Sequence, residues 1–114
     1  MTDNIRIFYY RREAVLSDFN ILLGKVNADL MNKTHVEVYK ARLEYPEQAP
    51  LGFLNDLFEK FNSNDNPLSN AEAQEMIVKN GLHTSMSVGD VVELINGNGT
   101  ETWVCKSIGW KKIA

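Results

Sequence analysis

The run from Val91 to Ile113 constrains this chain more than any other segment. Two stretches, Val91 to Ile95 and Thr102 to Ser107, flank Asn96-Gly97-Asn98-Gly99. Asparagine and glycine tolerate positive φ, so the pattern predicts a β-hairpin. Gly89-Asp90 turns the chain into the first strand, and Gly109 marks a bulge before a last short strand, Trp110 to Ile113.

The preceding residues supply what such a hairpin packs on. Ile5 to Tyr10 is β-branched and aromatic, with a second half apolar on both faces, which predicts a central strand covered on both sides. Val15, Phe19, Leu22, Leu23, Val26 and Leu30 fall on one stripe of an amphipathic helix, capped by Ser17 or Asp18, with Gly24 an unfavourable residue in its middle. His35 to Leu43 reads as a second strand whose inward face changes part-way, the mark of a bulge. Leu54, Leu57, Phe58 and Phe61 predict a helix from Leu51 to Phe61, with Pro50 at its first turn. Residues 62–67, Asn-Ser-Asn-Asp-Asn-Pro, break it and predict the most mobile loop. Ser69 and Glu72 have capping-box spacing, opening a helix to Lys79 that stops at Asn80-Gly81, with Ala73, Met76 and Ile77 inward. The expected fold is a single α+β domain, residues 1–114: a small antiparallel or mixed sheet with two or three packing helices and a C-terminal hairpin, extending to a partial SH3-like barrel.

Composition narrows the function classes. Hydrophobic residues make up 44% and charged residues 24%, which is ordinary for a globular domain. A net charge of −3 speaks against a nucleic-acid binder, which carries a clustered basic face. Cys105 is the single cysteine, so an intramolecular disulfide is impossible and a reducing compartment is the simplest home. No apolar signal region follows a basic start, and the apolar runs are too short to span a membrane. The expected location is the cytoplasm of a bacterial host cell.

The segment from Leu54 to Ile113 resembles the YodL-like family and related small proteins of bacteriophages and mobile elements. The resemblance rests on Phe58-Glu59-Lys60-Phe61-Asn62, on Asp65-Asn66-Pro67, and above all on Thr84-Ser85-Met86-Ser87-Val88-Gly89-Asp90-Val91-Val92, followed by Trp103 and Gly109-Trp110. About twenty residues, including the capping-box helix, separate the first of these motifs from the third. The resemblance implies a phage, prophage or plasmid accessory protein; it brings no catalytic residues and no cofactor.

The residues themselves offer few sites. His83 with Ser85 or Ser87 and Asp90 has the composition of a hydrolase triad, but no nucleophile elbow or oxyanion loop accompanies it. Thr84, Ser85, Ser87 and Asp90 are instead expected to satisfy backbone donors in the turn before a strand. His35, His83 and Cys105 have no metal-ligand spacing, so no metal is assigned. Cys105 reads as a small buried hydrophobe. Gly97-Asn98-Gly99 lacks the following helix and the lysine of a phosphate loop. Phe8 and Trp103 are expected in the core, whereas Tyr10 and Trp110, with Lys111 and Lys112, are candidate partner contacts. The expectation is a non-enzymatic accessory protein, monomer or homodimer, that binds a host or phage protein. The alternative is nucleic-acid association through the tail aromatics with Arg11, Arg12, Lys111 and Lys112.

Overall fold

The computed structural model describes residues 2–114. Strands β1 (Ile5–Tyr10), β2 (His35–Ala41), β3 (Val91–Asn96), β4 (Gly99–Cys105) and β5 (Trp110–Lys112) form one antiparallel sheet in the order β2-β1-β3-β4-β5. The α+β class is as the sequence leads one to expect. The sheet is open, with β2 and β5 as its edges. The hairpin register places Asn96 opposite Gly99, and of the turn residues only Gly99 takes a positive φ, 118°.

Helices α3 (Leu51–Lys60) and α4 (Ala71–Lys79) supply the apolar cover of one sheet face. Ile5, Ile7 and Tyr9 alternate inward from β1 and meet Val92 and Leu94 of β3, with Leu54, Leu57, Phe61 and Ile77 packed above them. The opposite face is smaller: Val91 and Val104 pack with Met31, and Phe8, Val26 and Ile113 close around them. β1 is thus an interior strand covered on both sides. The bulge expected in β2 lies opposite Ile7 and Phe8, where pairing steps from Tyr39 to Glu37. The extra residue lets Val36, Val38 and Tyr39 all reach the same core, which strict alternation forbids.

Three expectations need correction. The long helix over Val15 to Leu30 is not formed. Helix α1 (Arg12–Ser17) ends at Asp18, whose side chain accepts from the Asn20 amide to start a 3-10 turn, Phe19–Leu23. Gly24 then takes a left-handed conformation, φ 73°, and the chain continues through a second 3-10 turn, Ala28–Leu30, into the short α2 (Met31–Thr34). Glycine is the residue that takes this conformation without strain, and it packs close to Lys106 and the Cys105 carbonyl. Second, α4 is capped by Asn70, not Ser69; the Asn70 side-chain oxygen accepts from the Ala73 amide at 2.8 Å. Its other end is as expected, with Gly81 at φ 63° and the Leu82 amide donating back to the Ile77 carbonyl at 2.9 Å.

Third, the polar loop after α3 is tied down. The Asn66 side chain is buried, donates to the Phe61 carbonyl at 2.8 Å and the Thr84 carbonyl at 3.0 Å, and accepts from the Leu68 amide. Asn62 reaches the Met86 carbonyl at 3.0 Å. These amides do the work of a paired strand where no strand exists, so the loop's polarity reflects buried hydrogen bonding. Asn66→Leu would leave three buried backbone groups without partners and is expected to destabilise by about 2 kcal/mol. A denaturant midpoint unchanged from wild type would refute that role.

Candidate functional site

The connection from α4 to β3, residues 82–90, gathers most of the polar side chains singled out in the sequence. Its centre is Asp90, which has no solvent exposure. One carboxylate oxygen, Oδ1, accepts from the Tyr10 amide at 3.0 Å, at the end of β1. The other, Oδ2, accepts from the Ser87 amide at 2.8 Å, from the Ser87 hydroxyl at 3.3 Å, and pairs with His83 Nε2 at 2.8 Å. The Asp90 backbone joins in, its amide donating to the Ser87 carbonyl and its carbonyl accepting from Cys105. Burial pushes the Asp90 carboxyl above its ordinary range, against the pull of His83 and the Ser87 and Tyr10 amides.

The aromatic residues at the end of β1 shelter this centre. The Tyr9 ring stacks on His83 at 4.7 Å and 7°, and Tyr10 lies against the same imidazole at 4.5 Å. Burial and the neighbouring Asp90 charge push the Tyr9 hydroxyl well above its usual value, so it stays protonated and donates to the Thr84 carbonyl.

This geometry is not that of a hydrolytic triad. A triad uses two nitrogens of one imidazole, one held by the carboxylate and the other free to take the serine proton. Here Ser87 Oγ and Asp90 Oδ2 both approach the same atom, His83 Nε2, at 3.3 and 2.8 Å. A proton on that nitrogen directed at Asp90 leaves no lone pair for the serine. Ser85 is exposed, and the Thr84 hydroxyl donates to Gln74. The arrangement closes a turn and ties it to β1, as the sequence suggested for Ser87 and Asp90.

His35 forms a second clasp on the same turn. It is buried, with Nε2 2.7 Å from the Gly89 carbonyl and Nδ1 2.7 Å from the Thr34 hydroxyl. Gly89 itself sits at φ 96°, and a Cβ there would run into the Ile21 carbonyl oxygen. Glycine is thus required both by conformation and by space. Sequence reading placed His35 at the start of a strand and found no metal-ligand spacing for it; its contact is made across 54 residues, and no local signal reveals it.

The remaining candidates are dispersed. Tyr10 faces His35 in the β1–β2 ladder, and Trp110 on β5 packs against the main core. Lys112 lies 3.8 Å from Glu101, and Lys111 lines a cleft with Lys25 and Ile113. Two strands, β3 and β4, separate β1 from β5, so the ends carrying Arg11-Arg12 and Lys111-Lys112 stand roughly 14 Å apart or more across the sheet. Phe8 lies under the Arg6 guanidinium at 5.3 Å, and Trp103 donates to Glu101. Cys105 is buried, and burial with the nearby Asp90 charge pushes its thiol up to about 12. Among the described residues, no three His, Cys, Asp or Glu side chains converge as metal ligands, and no helix is long and apolar enough to cross a membrane.

Fold and site together define a small α+β protein built on an open antiparallel sheet, in which a buried carboxylate locks the connection between helix and hairpin. Over 112 residues the chain is 32% identical to Uncharacterized protein R785 of Acanthamoeba polyphaga mimivirus, covering 96% of this chain and 91% of that protein. The chain belongs to the same family as that viral protein. No protein-family model matches the chain, and no solved structure matches it.

Two outcomes test the site. Asp90→Ala strands the Tyr10 and Ser87 amides and the His83 imidazole, and is expected to cost about 3 kcal/mol or more, whereas His83→Ala costs less because both amides keep their acceptor. Equal losses in chemical denaturation would contradict the central role of the carboxylate. His35 gives a pH dependence. Burial holds its folded pKa below the ordinary value near 6.5, so the unfolded chain binds the proton more readily. Its stabilisation is complete above about pH 6.5 and is lost as pH falls through the depressed folded value. Asp90, shifted upward, acts in the opposite sense, so the His35 contribution is read as the difference between wild type and His35→Gln. Wild type should lose more stability than the variant between pH 8 and pH 5.5; parallel curves would sink the assignment.

Proposed function

We propose that this protein is a non-enzymatic accessory protein of a virus or mobile element, acting in the host cytoplasm by binding a host or viral protein. The observation that carries the reading is the surface. Large apolar side chains stand in solvent on a folded scaffold, Leu16 at 90%, Phe19 at 66% and Ile108 at 92% exposure. Where such side chains gather into a contiguous patch they serve as protein contacts, and the reading takes Leu16 and Phe19, three residues apart, as the centre of one. The polar cluster at Asp90, by contrast, spends its hydrogen-bonding capacity on the fold. The viral relative supports the viral setting, and membership of the YodL-like group, on the 84–92 motif, is part of the same proposal. Of the contacts proposed from sequence, Lys111 lies beside the exposed apolar segment, in a cleft with Gly24 and Lys25. Tyr10, Trp110 and Lys112 remain proposed contacts on other parts of the sheet.

The test is affinity capture with the tagged full chain from bacterial and from Acanthamoeba lysates, with and without nuclease. A stoichiometric protein retained after nuclease treatment is the expected result. Retention that disappears with nuclease would replace the reading with nucleic-acid association, and no retained protein from either lysate would overturn it.

A further inference from the structure

The smaller face of the sheet carries a cleft that the Asp90 carboxylate does not occupy. It lies between the strands and the segment that covers them: Ala28, Met31 and Asn32 line one part, and residues of β1 to β4 line the rest. It encloses about 260 Å³. Pockets for ordinary small molecules hold roughly 300–1,000 Å³, so a ligand here is a small one.

Strand register builds the polar wall. Arg6 of β1 stands opposite Glu93 of β3, and Glu93 stands opposite Thr102 of β4. Directly opposite residues share a face, with Cβ atoms roughly 5 Å apart, so the Glu93 carboxylate and the Thr102 hydroxyl are placed to meet one small group. Thr102 is only 6% exposed, lines the cleft, and its hydroxyl has no hydrogen-bond partner among the described residues. Among those residues Tyr45 alone has a fully enclosed side-chain polar atom without a partner. The Thr102 oxygen is therefore not sealed in the core, and opens to the cleft that the residue lines.

The charge of this wall is negative. Glu37 and Glu93, which both line the cleft, share one guanidinium: Arg6 Nε lies 2.6 Å from Glu37 Oε1, and Arg6 Nη1 lies 3.5 Å from Glu93 Oε1. Two carboxylates and one cation leave one negative charge. The Glu93 side chain is 20% exposed, so water screens it poorly. Lys40, opposite Arg6 on β2, is exposed and lies outside the cleft. His35, whose burial favours the neutral imidazole, adds no balancing charge. The remaining lining includes the hydrocarbon of Phe8, Ala28 and Met31.

We propose that this cleft binds a primary ammonium group on a short alkyl stem. An ammonium offers three donors and no acceptor, which matches the Glu93 carboxylate and the Thr102 hydroxyl oxygen. The stem lies along Phe8 and Met31. A free alkylamine and a lysine side chain carry the same chemistry. A metal ion is a poorer match, because no three His, Cys, Asp or Glu side chains converge as ligands among the described residues. An anion would meet two carboxylates, and a neutral molecule would leave their excess charge unbalanced. This site goes beyond the protein-binding reading and does not depend on it.

The experiment is titration of the isotope-labelled full chain with butylammonium chloride at constant ionic strength, read as backbone amide shifts in NMR. Butanol has the same stem without charge, and butyrate has the opposite charge. Glu93→Gln removes the charge with little change of shape, and Thr102→Val exchanges the hydroxyl for a methyl; circular dichroism checks that both fold. Butylammonium should give saturable shifts in residues 28–37 and around Glu93 and Thr102, whereas butanol and butyrate give none. Binding should weaken about five-fold or more in Glu93→Gln and about two-fold or more in Thr102→Val. If Thr102→Val fails to fold, Glu37→Gln replaces it with the same expected loss. No saturable shifts with butylammonium, equal shifts with butanol, shifts confined to other parts of the molecule, or an affinity unchanged in Glu93→Gln would overturn the proposal. Tighter binding of Nα-acetyl-lysine amide than of butylammonium would support the site with a lysine side chain as its source; weaker binding would support it with a free amine.

Discussion

The carboxylate of Asp90 is the point on which the arrangement of this fold turns. It is fully buried, yet it accepts from two backbone amides and a hydroxyl and pairs with an imidazole, drawn from β1 and from the connection before β3. A buried charge is tolerable only with such a complement of partners, because each missing one leaves a desolvated group without compensation. The partners come from Tyr10 and from residues 83 and 87, so the carboxylate cannot be satisfied until the N-terminal strand and the α4–β3 connection have met. His35 pins the adjacent Gly89 carbonyl, and Gly89 gives the Ile21 backbone room to approach. Through these contacts one short turn sets the position of β1, β2, β3 and the segment after α1.

Side-chain amides extend the same principle to the loops. Asn4 donates to the Leu43 carbonyl at 2.7 Å and accepts from the Leu43 amide at 2.8 Å, continuing the β1–β2 ladder one step beyond its last pair. Asn62 and Asn66 tie the loop after α3 to residues 84–86, and Asn70 caps α4. Asparagine suits these places because it offers a donor and an acceptor at once and carries no charge to desolvate. A small protein with an open sheet and short helices is thereby held together at its margins by hydrogen bonds where apolar area is limited.

That economy leaves the large side chains of Leu16, Phe19, Leu22 and Leu23 partly or largely in solvent. The scaffold uses Ala14 and Ile21 from the same segment and turns the larger side chains outward. Both faces of the sheet are covered, by α3 and α4 on one side and by the segment around Met31 on the other. Polar satisfaction centres on the Asp90 turn, whose neighbour Gly89 lies against Ile21, while the larger apolar side chains beside Ile21 are exposed.

The local patterns were legible in the sequence. β-branched and aromatic composition pointed to β1, the Asn/Gly turn to the hairpin, the change of face in β2 to its bulge, apolar spacing to α3, and Asn80-Gly81 to the end of α4, because these follow from backbone preferences and the face each residue presents. The turn role of Ser87 and Asp90 was also legible, since short polar side chains next to glycine bond their own backbone. Tertiary contact decided the rest. The stripe from Val15 to Leu30 has helical spacing, but the segment breaks at Asp18 and at Gly24, Ile21 packs on Gly89, and its leucines face water. The polar 62–67 loop reads as mobile until residues 84–86 supply its acceptors. His35 and the Ile21–Gly89 approach are long-range contacts, and spacing along a chain carries no information about which carbonyl a distant imidazole will meet.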